Sequence, residues 1–206
     1  MSENPDIGHP NCAVEGTYAL AVLVISGSGR RSGKTAVGCA LVRAMPELRW
    51  VAVKLTAHEH GTGAGVWEET NRDSEKDTGR YLKAGAARSF IAAGAPDGDP
   101  DWALDWLSKV HLPQTDGLVL ESNQSSLDVI VGAGEKFLRL AVLGSLVEDW
   151  KQSLWESVDE ADALVLTGGF PVEKLPCKLQ NKRIFWMVRG EWISQELAVF
   201  ARSRLV

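Results

Sequence analysis

Residues 26–35 of the chain are Ser-Gly-Ser-Gly-Arg-Arg-Ser-Gly-Lys-Thr, and they directly follow an apolar run from Tyr18 to Ile25. A small-residue segment that ends in Gly-Lys-Thr and follows a buried strand is typical of a phosphate-binding loop. The backbone N–H groups of such a loop surround a hollow that suits an anion, and the following helix adds its positive N-terminal end. In this pattern Lys34 reaches the β- and γ-phosphates of a nucleotide, and the Thr35 hydroxyl binds Mg²⁺.

The loop departs from the usual pattern, G-x-x-x-x-G-K-[ST], at its first position, where the chain has Ser28. Gly27 and Gly29 flank this position and can supply the backbone freedom that glycine gives. A helix is predicted over Lys34–Ala44, because apolar side chains recur there on one face. We therefore assign phosphate contacts to the whole loop, which comprises Gly27, Ser28, Gly29, Arg30, Arg31, Ser32, Gly33, Lys34 and Thr35.

Apolar, β-branched runs alternate with amphipathic segments along the rest of the chain, which predicts a parallel sheet with helices on both sides. The predicted strands are Ala19–Ile25, Trp50–Leu55, Ser89–Ala92, Gly117–Leu120, Leu138–Leu143, Ala163–Leu166 and Arg183–Met187. The predicted helices are Lys34–Ala44, Asp77–Ala84, Pro100–Lys109, Asp149–Glu156 and Glu191–Arg204. The predicted fold class is an α/β, P-loop NTPase-like three-layer sandwich with a mostly parallel central sheet. We expect residues 1–15 to form a loose tail and residues 16–206 to form one nucleotide-binding domain.

The composition is close to that of an average globular protein, with 206 residues, 45% hydrophobic and 24% charged. The net charge of −5 argues against broad nucleic-acid binding, which needs a basic face. The three cysteines have no metal-like spacing, and their odd number favours a reducing, cytoplasmic location. No apolar run approaches the roughly 20 residues that a membrane span needs, so we expect no membrane partner.

One segment, residues 56–76, has no apolar periodicity and contains several glycines. Because it leaves the end of the second predicted strand, where ligands bind in open α/β sheets, we expect a mobile loop over the nucleotide site.

Polar side chains at the ends of two predicted strands are candidates for the site. Glu121 follows the strand Gly117–Leu120 at its carboxyl end, so it can bind Mg²⁺ or orient a water molecule; the alternative is a plain polar turn. Asp162 precedes its strand and therefore lies at the wrong edge of the sheet. Lys54 lies inside an apolar strand, and its burial requires an anionic partner, either a phosphate or Glu121.

Three further motifs leave alternatives open. His58 and His60 can contact phosphate or substrate, can ligate a metal if other ligands join them, or can belong to a solvated loop. Asp77 begins a predicted helix, where it can serve as a cap or a first-turn acid or can bind Mg²⁺ through a water. Arg80 lies one turn later and can bind phosphate. The sequence Thr-Gly-Gly at residues 167–169 either lines a base pocket or forms an ordinary turn.

The Gly-Lys-Thr loop, the strand sequence Val-Ala-Val-Lys that ends at Lys54 and the sequence Asp-Thr-Gly-Arg…Ala-Gly-Ala at residues 77–86 resemble the molybdopterin-guanine dinucleotide biosynthesis protein B (MobB) group. The resemblance covers roughly residues 20–125. It implies a fold like that of the small GTPases, GTP and Mg²⁺ as ligands, and a role in attaching a nucleotide to molybdopterin. It also implies phosphate and Mg²⁺ contacts for Gly29, Gly33, Lys34 and Thr35. It implies that Lys54 and His58 lie at the strand tip, and that Asp77 and Arg80 lie near the phosphates or a partner surface.

These observations favour a P-loop protein that binds a nucleoside triphosphate and hydrolyses it slowly, as an accessory factor in molybdenum cofactor biosynthesis. The expected ligands are Mg²⁺ with GTP or ATP, and the base is left open. We expect catalytic roles for Lys34, Glu121 and Arg80, and metal contacts from Thr35, Asp77 and Glu121. A partner enzyme and a homodimer are further expectations. The alternatives are a small-molecule kinase on the same fold and a non-catalytic, nucleotide-dependent scaffold.

Overall fold

The computed structural model describes residues 20–56, 65–94, 115–122, 136–144, 147, 150–188 and 192–206. Within these residues the strands are β1 (Ala21–Gly27), β2 (Trp50–Thr56), β3 (Gly65–Glu69), β4 (Arg88–Ala93), β5 (Gly117–Glu121), β6 (Lys136–Leu143), β7 (Ala163–Thr167), β8 (Arg183–Val188) and β9 (Trp192–Ile193). The helices are α1 (Lys34–Ala44), α2 (Asp77–Ala84), α3 (Gln152–Ser157) and α4 (Gln195–Leu205).

The described strands form one sheet in the order β3-β4-β2-β5-β1-β6-β7-β8-β9. The seven inner strands run parallel, and the two edge strands, β3 and β9, are antiparallel to their neighbours. β1 lies between β5 and β6, and all seven of its residues are buried. A parallel strand covered on both faces must be apolar throughout, which explains why this run is continuous and not alternating.

Successive side chains of β6 point to opposite faces of the sheet and pack in two different hydrophobic cores, one on each face. Leu140 and Val142 pack in the core that contains α1, α2 and α4. Ala141 and Leu143 pack in a second core with Leu154 of α3. Because neighbouring residues of a strand point to opposite faces, the helices lie on both sides of the sheet. The predicted α/β three-layer fold is confirmed.

The structure corrects the prediction of a single irregular loop from residue 56 to residue 76. Residues Gly65–Glu69 form β3, which pairs with β4 at the edge of the sheet. The sequence did not reveal this strand because it is short and because its exposed outer edge allows acidic residues beside Val66 and Trp67. The remainder of that segment that the structure describes, residues 70–76, contains turns and bends.

The C-terminal helix begins later than predicted, at Gln195 and not at residue 191. Its N-cap is Ser194, whose hydroxyl accepts a hydrogen bond from the Leu197 backbone N–H. Trp192–Ile193 instead form the edge strand β9. The helix predicted from residue 149 starts at Gln152. The predicted helix at residues 100–109 and the predicted tail at residues 1–15 lie outside the described residues. In the part of the chain that is described, no helix is long and apolar enough to cross a membrane.

Candidate functional site

The loop between β1 and α1 is held against the end of β6 by Ser28, the residue that replaces the usual glycine. The Ser28 N–H donates to the Val142 carbonyl (3.0 Å), and the Ser28 hydroxyl accepts from the Gly144 N–H (3.1 Å). Ser28 is fully buried. The serine therefore supplies an acceptor that glycine lacks, and this hydrogen bond is a structural reason for the departure from the usual pattern.

The loop is tightly folded before it enters α1. A Cβ atom on Gly27 would lie 2.7–2.8 Å from Lys34 Cγ, Ser32 Oγ and the Val142 carbonyl, so only glycine fits there. Arg31 has φ 61° and Gly33, the N-cap of α1, has φ 100°. These left-handed conformations turn the backbone in the short space between the strand and the helix.

Lys34 lies across this loop at the start of α1. Its ammonium donates to the Gly29 carbonyl (2.8 Å) and lies 3.3 Å from the Ser32 hydroxyl. Burial lowers the pKa of Lys34 below its usual value, and the nearby carboxylate of Glu121 offsets this only in part. A buried ammonium whose charge is only partly compensated favours the binding of a further anion. This agrees with the assignment of Lys34 to phosphate binding.

Glu121 lies at the carboxyl end of β5, as predicted, and its Oε2 atom joins α1 and α2. The Thr35 hydroxyl donates to this oxygen (2.8 Å), and the Tyr81 hydroxyl also donates to it (3.2 Å). Burial, reinforced by Glu121, raises the pKa of Tyr81 well above its usual value, so Tyr81 remains a donor. The prediction missed Tyr81, although its position one turn after Asp77 places it on the same side of α2.

Lys54 has the anionic partners that its burial requires. Its ammonium contacts Asp77 Oδ2 directly and lies 3.6 Å from Glu121 Oε1. Burial acts to lower the pKa of Lys54, but Glu121 and Asp77 outweigh burial and raise it. Burial acts to raise the pKa of Asp77, but Lys54, with smaller contributions from the Thr35 hydroxyl and Arg80, lowers it.

Asp77 does not cap α2 with its side chain. It is the first residue of the helix after the N-cap Lys76, and the helix has no side-chain cap. Its carboxylate instead contacts Lys54 and lies 3.6 Å from Arg80 Nη1. The capping alternative is therefore wrong, while the position of Asp77 in the first helical turn is as predicted.

The turn at residues 167–169 supports the loop. The Thr167 hydroxyl donates to the Ser32 carbonyl (2.7 Å), and its methyl carbon would lie 3.1 Å from a Cβ at Gly33. Gly168 and Gly169 have φ values of 65° and 76°, which suit a glycine turn. These contacts show that the segment forms a glycine turn that packs against the phosphate-binding loop.

The remaining predicted residues divide into three groups. Arg30, Arg31 and Arg80 line the cleft with Lys34. Asp162 lies at the opposite edge, as predicted, where it accepts from the Arg139 N–H (2.8 Å) and pairs with Arg204. His58 and His60 lie outside the described residues.

The cleft at this edge of the sheet has a volume of about 1370 Å³. The phosphate-binding loop forms its middle. Lys151 and Ser153, which the sequence analysis did not identify, line the β6–β7 side, and Lys54, Ile91 and Trp67 line the side toward β3.

The oxygen atoms beside the loop fit Mg²⁺. Thr35 Oγ1 and Glu121 Oε2 are 2.8 Å apart, and both are hard donors of the kind that Mg²⁺ prefers. Among the described residues no group of three or more His, Cys, Asp or Glu side chains is arranged to hold a metal. Phosphate oxygens or waters would complete the coordination of a Mg²⁺ ion here, which is its usual mode in nucleotide sites.

Comparison with known proteins agrees with this geometry at the level of the fold. No protein-family model and no curated protein matches the sequence. The structure is similar to the hydrogenase maturation factor HypB from Archaeoglobus fulgidus, with a TM-score of 0.58, 18% identity and 91% of both chains covered. It is also similar to HypB from Helicobacter pylori, solved in complex with nickel, with a TM-score of 0.50, 16% identity and coverage of 91% of this chain and 90% of the other.

The order of the sheet, the loop between β1 and α1, and these similarities together define an α/β protein with the P-loop fold.

Proposed function

We propose that this protein binds a nucleoside triphosphate with Mg²⁺ and hydrolyses it slowly. The observation that carries the proposal is the hydrogen bond of the Thr35 hydroxyl to the Glu121 carboxylate beside the buried ammonium of Lys34. A bound Mg²⁺ would neutralise charge on the phosphate oxygens, held by Thr35 and Glu121 with Asp77 nearby.

In this proposal the protein acts mainly by position and charge, as is usual for phosphoryl transfer. Lys34 binds the β- and γ-phosphates, and the backbone of residues 27–35 surrounds them. Glu121 orients the metal or an attacking water. Arg80 lines the cleft beside Asp77 and stabilises the charge that develops on the transferred group, while Arg30 and Arg31 bind phosphate from the loop.

We further propose that this activity serves as an accessory step in molybdenum cofactor biosynthesis, through a partner enzyme and with the protein as a homodimer. The resemblance of the Gly-Lys-Thr loop, the strand that ends at Lys54 and the Asp77–Arg80 segment to the MobB group supports this role. The similar HypB from Archaeoglobus fulgidus is a hydrogenase maturation factor, so a protein with a similar fold serves in the maturation of another enzyme.

A thermal-shift panel with ATP, GTP and their diphosphates, with and without Mg²⁺, tests nucleotide binding. A ligand at 100 times its Kd stabilises the native state by about 2.7 kcal/mol, or roughly 5–10 °C for a chain of this size. Lys34→Ala should abolish this shift while the unliganded protein stays folded. Lys178→Ala, a surface lysine paired with Asp159, is the matched control and should keep it. An unchanged shift in Lys34→Ala would refute the proposal.

The variant Glu121→Gln tests metal binding separately from nucleotide binding. The variant keeps the size of the side chain but removes its charge, so we expect a weaker Mg²⁺ dependence and a slower turnover with little loss of nucleotide affinity. Mg²⁺ titrations of nucleotide binding and steady-state phosphate release provide the two measurements. If neither changes, Glu121 has no role in the metal site.

A small-molecule kinase is the second candidate function, and the length of the cleft favours it. The cleft continues past Lys54 to Ile91 and Trp67, which leaves space for an acceptor beyond the γ-phosphate. Phosphate transfer to a small acceptor, with no phosphate release in its absence, would distinguish the kinase from the hydrolase.

A further inference from the structure

A row of four side chains crosses the sheet from the phosphate-binding loop to the edge strand. Trp67 of β3 pairs in register with Ile91 of β4, Ile91 pairs with Lys54 of β2, and Lys54 pairs with Glu121 of β5. Residues paired in register point to the same face of a sheet. The row therefore forms one continuous floor, which begins at the metal-binding oxygens and ends at an aromatic ring.

The two ends of this floor differ in chemistry. Lys54 and Glu121 form the charged end, where Lys54 contacts both Glu121 and Asp77. Trp67 and Ile91 form the apolar end, and both are half-buried and line the cleft. The Trp67 ring lies along its own strand above Gly65, where a Cβ atom would be only 3.0 Å from two ring carbons. Glycine at position 65 thus allows the ring to lie flat.

The nucleotide itself does not need this apolar end. Lys34 and Thr35 bind the β- and γ-phosphates and the metal, so the γ-phosphate faces Glu121 and Lys54. The nucleoside then extends toward the other side of the loop, where Lys151 and Ser153 line the cleft. Three strand spacings of roughly 4.8 Å separate Glu121 from Trp67, about 14 Å in all.

The size of the cleft leads to the same conclusion. Its volume of about 1370 Å³ exceeds the roughly 300–1,000 Å³ that is typical for one small molecule. We propose that the cleft holds a second ligand beside the nucleotide, a planar ring compound that stacks on Trp67 and carries a hydroxyl group toward Lys54. This inference rests on the proposed nucleotide function and names the second molecule of the same site.

Two matched probes test the inference, 2-naphthalenemethanol and its saturated counterpart, decahydro-2-naphthalenemethanol. Saturation-transfer NMR would measure their binding to the full chain in the presence of Mg²⁺ and a non-hydrolysable nucleotide, either AMPPNP or GMPPNP. Loss of one ring-stacking contact weakens binding by about 5- to 150-fold. We expect the planar probe to bind, the saturated one to bind several-fold more weakly, and Trp67→Ala to lose the planar probe. Trp186→Ala is the control, because Trp186 is exposed on β8 outside the cleft lining.

Thermal shifts with the same nucleotide distinguish a failure of the second-ligand proposal from a failure of the proposed nucleotide function. If wild type and Trp67→Ala are stabilised equally by the nucleotide but the planar probe does not bind wild type, the second site is refuted and the nucleotide function stands. If Trp67→Ala loses the nucleotide shift itself, the ring stacks on the nucleotide base and the second site is also refuted. If wild type shows no nucleotide shift at all, the proposed function falls, and this inference falls with it.

Discussion

Replacing Lys54 by methionine should destabilise the protein in a way that Mg²⁺ reverses. Methionine keeps the length of the apolar stem and removes the ammonium that contacts Asp77 and lies 3.6 Å from Glu121. The two carboxylates then share the site with the Thr35 hydroxyl and have no lysine between them. Hard oxygen donors in this arrangement favour a divalent cation.

The size of the effect follows from the burial of the three charges. Breaking a fully buried ion pair costs about 3–5 kcal/mol, because the remaining charge is left uncompensated. Glu121 is nearly fully buried, but the side chains of Lys54 and Asp77 keep 27% and 34% of their exposure, so solvent reduces the cost. We expect a loss of about 1–2 kcal/mol in the free energy of unfolding.

The dependence of this loss on pH follows from the directions of the pKa shifts. The lowered pKa of Asp77 adds stability above its unfolded value of 3.8, and this is lost as the pH falls through the folded value. The raised pKa of Lys54 adds stability below its unfolded value of 10.5, and this is lost as the pH rises through the folded value. The free energies of unfolding of wild type and Lys54→Met should therefore differ most between about pH 5 and pH 9 and should become similar in acid.

Urea unfolding at pH 7, with and without Mg²⁺, measures both effects. If Mg²⁺ binds the variant with a Kd of about 1 mM, about 10 mM Mg²⁺ adds about 1.4 kcal/mol. Wild type should gain little from Mg²⁺ alone, because Lys54 already compensates the two carboxylates. Lys178→Met removes an exposed partner of Asp159 and serves as the control, with sodium chloride at equal ionic strength in the samples without Mg²⁺. Equal stability of wild type and Lys54→Met, or an equal gain from Mg²⁺, would refute the reasoning.

Two further changes test the packing of the site by urea unfolding. Ser28→Gly restores the usual loop pattern, yet it should lower the free energy of unfolding by about 1–3 kcal/mol, because the Gly144 N–H loses its acceptor. A variant as stable as wild type would contradict the structural role of the serine. Gly38→Ala should destabilise the protein by about 1–3 kcal/mol although alanine favours helices, because its Cβ would lie 2.3 Å from the Tyr81 hydroxyl oxygen. Gly29→Ala is the control, since its Cβ meets no atom within 4 Å, and equal losses in the two variants would argue against a clash at Tyr81.

The inner strands were predictable because they are parallel and covered on both faces. Burial on two faces favours continuous apolar sequence, and β1 and β5, which are buried along their whole length, are apolar up to Ile25 and Leu120. The edge strands were not predictable for the opposite reason. β3 has one open edge and a half-exposed face, so Glu68 and Glu69 can occur in it without cost. β9 is only two residues long and gives no periodicity.

In the site, too, some residues were predictable from the sequence and others were not. Glu121 was identifiable because the carboxyl end of a buried strand is the place where ligands meet an open α/β sheet. Lys54 was identifiable because a lysine in an apolar run needs an anion. The contacts of Tyr81 with Glu121 and of Thr167 with Ser32 join residues that are 40 and 135 positions apart, and a local pattern contains no information on such pairs.

The arrangement of charges also bears on how the nucleotide enters. In the protein alone, the Thr35 hydroxyl is held by Glu121, Lys54 by Asp77, and Lys34 by the Gly29 carbonyl. Each of these three groups therefore already has a partner inside the protein. Binding exchanges these contacts for new ones, and an exchange of hydrogen bonds yields a smaller net gain than the formation of new ones. The phosphates would release Lys34 and Lys54 from their partners, and the metal would release Glu121. Neither ligand alone releases all three groups. The selectivity of the site for a Mg²⁺–nucleotide complex would then come from this simultaneous release.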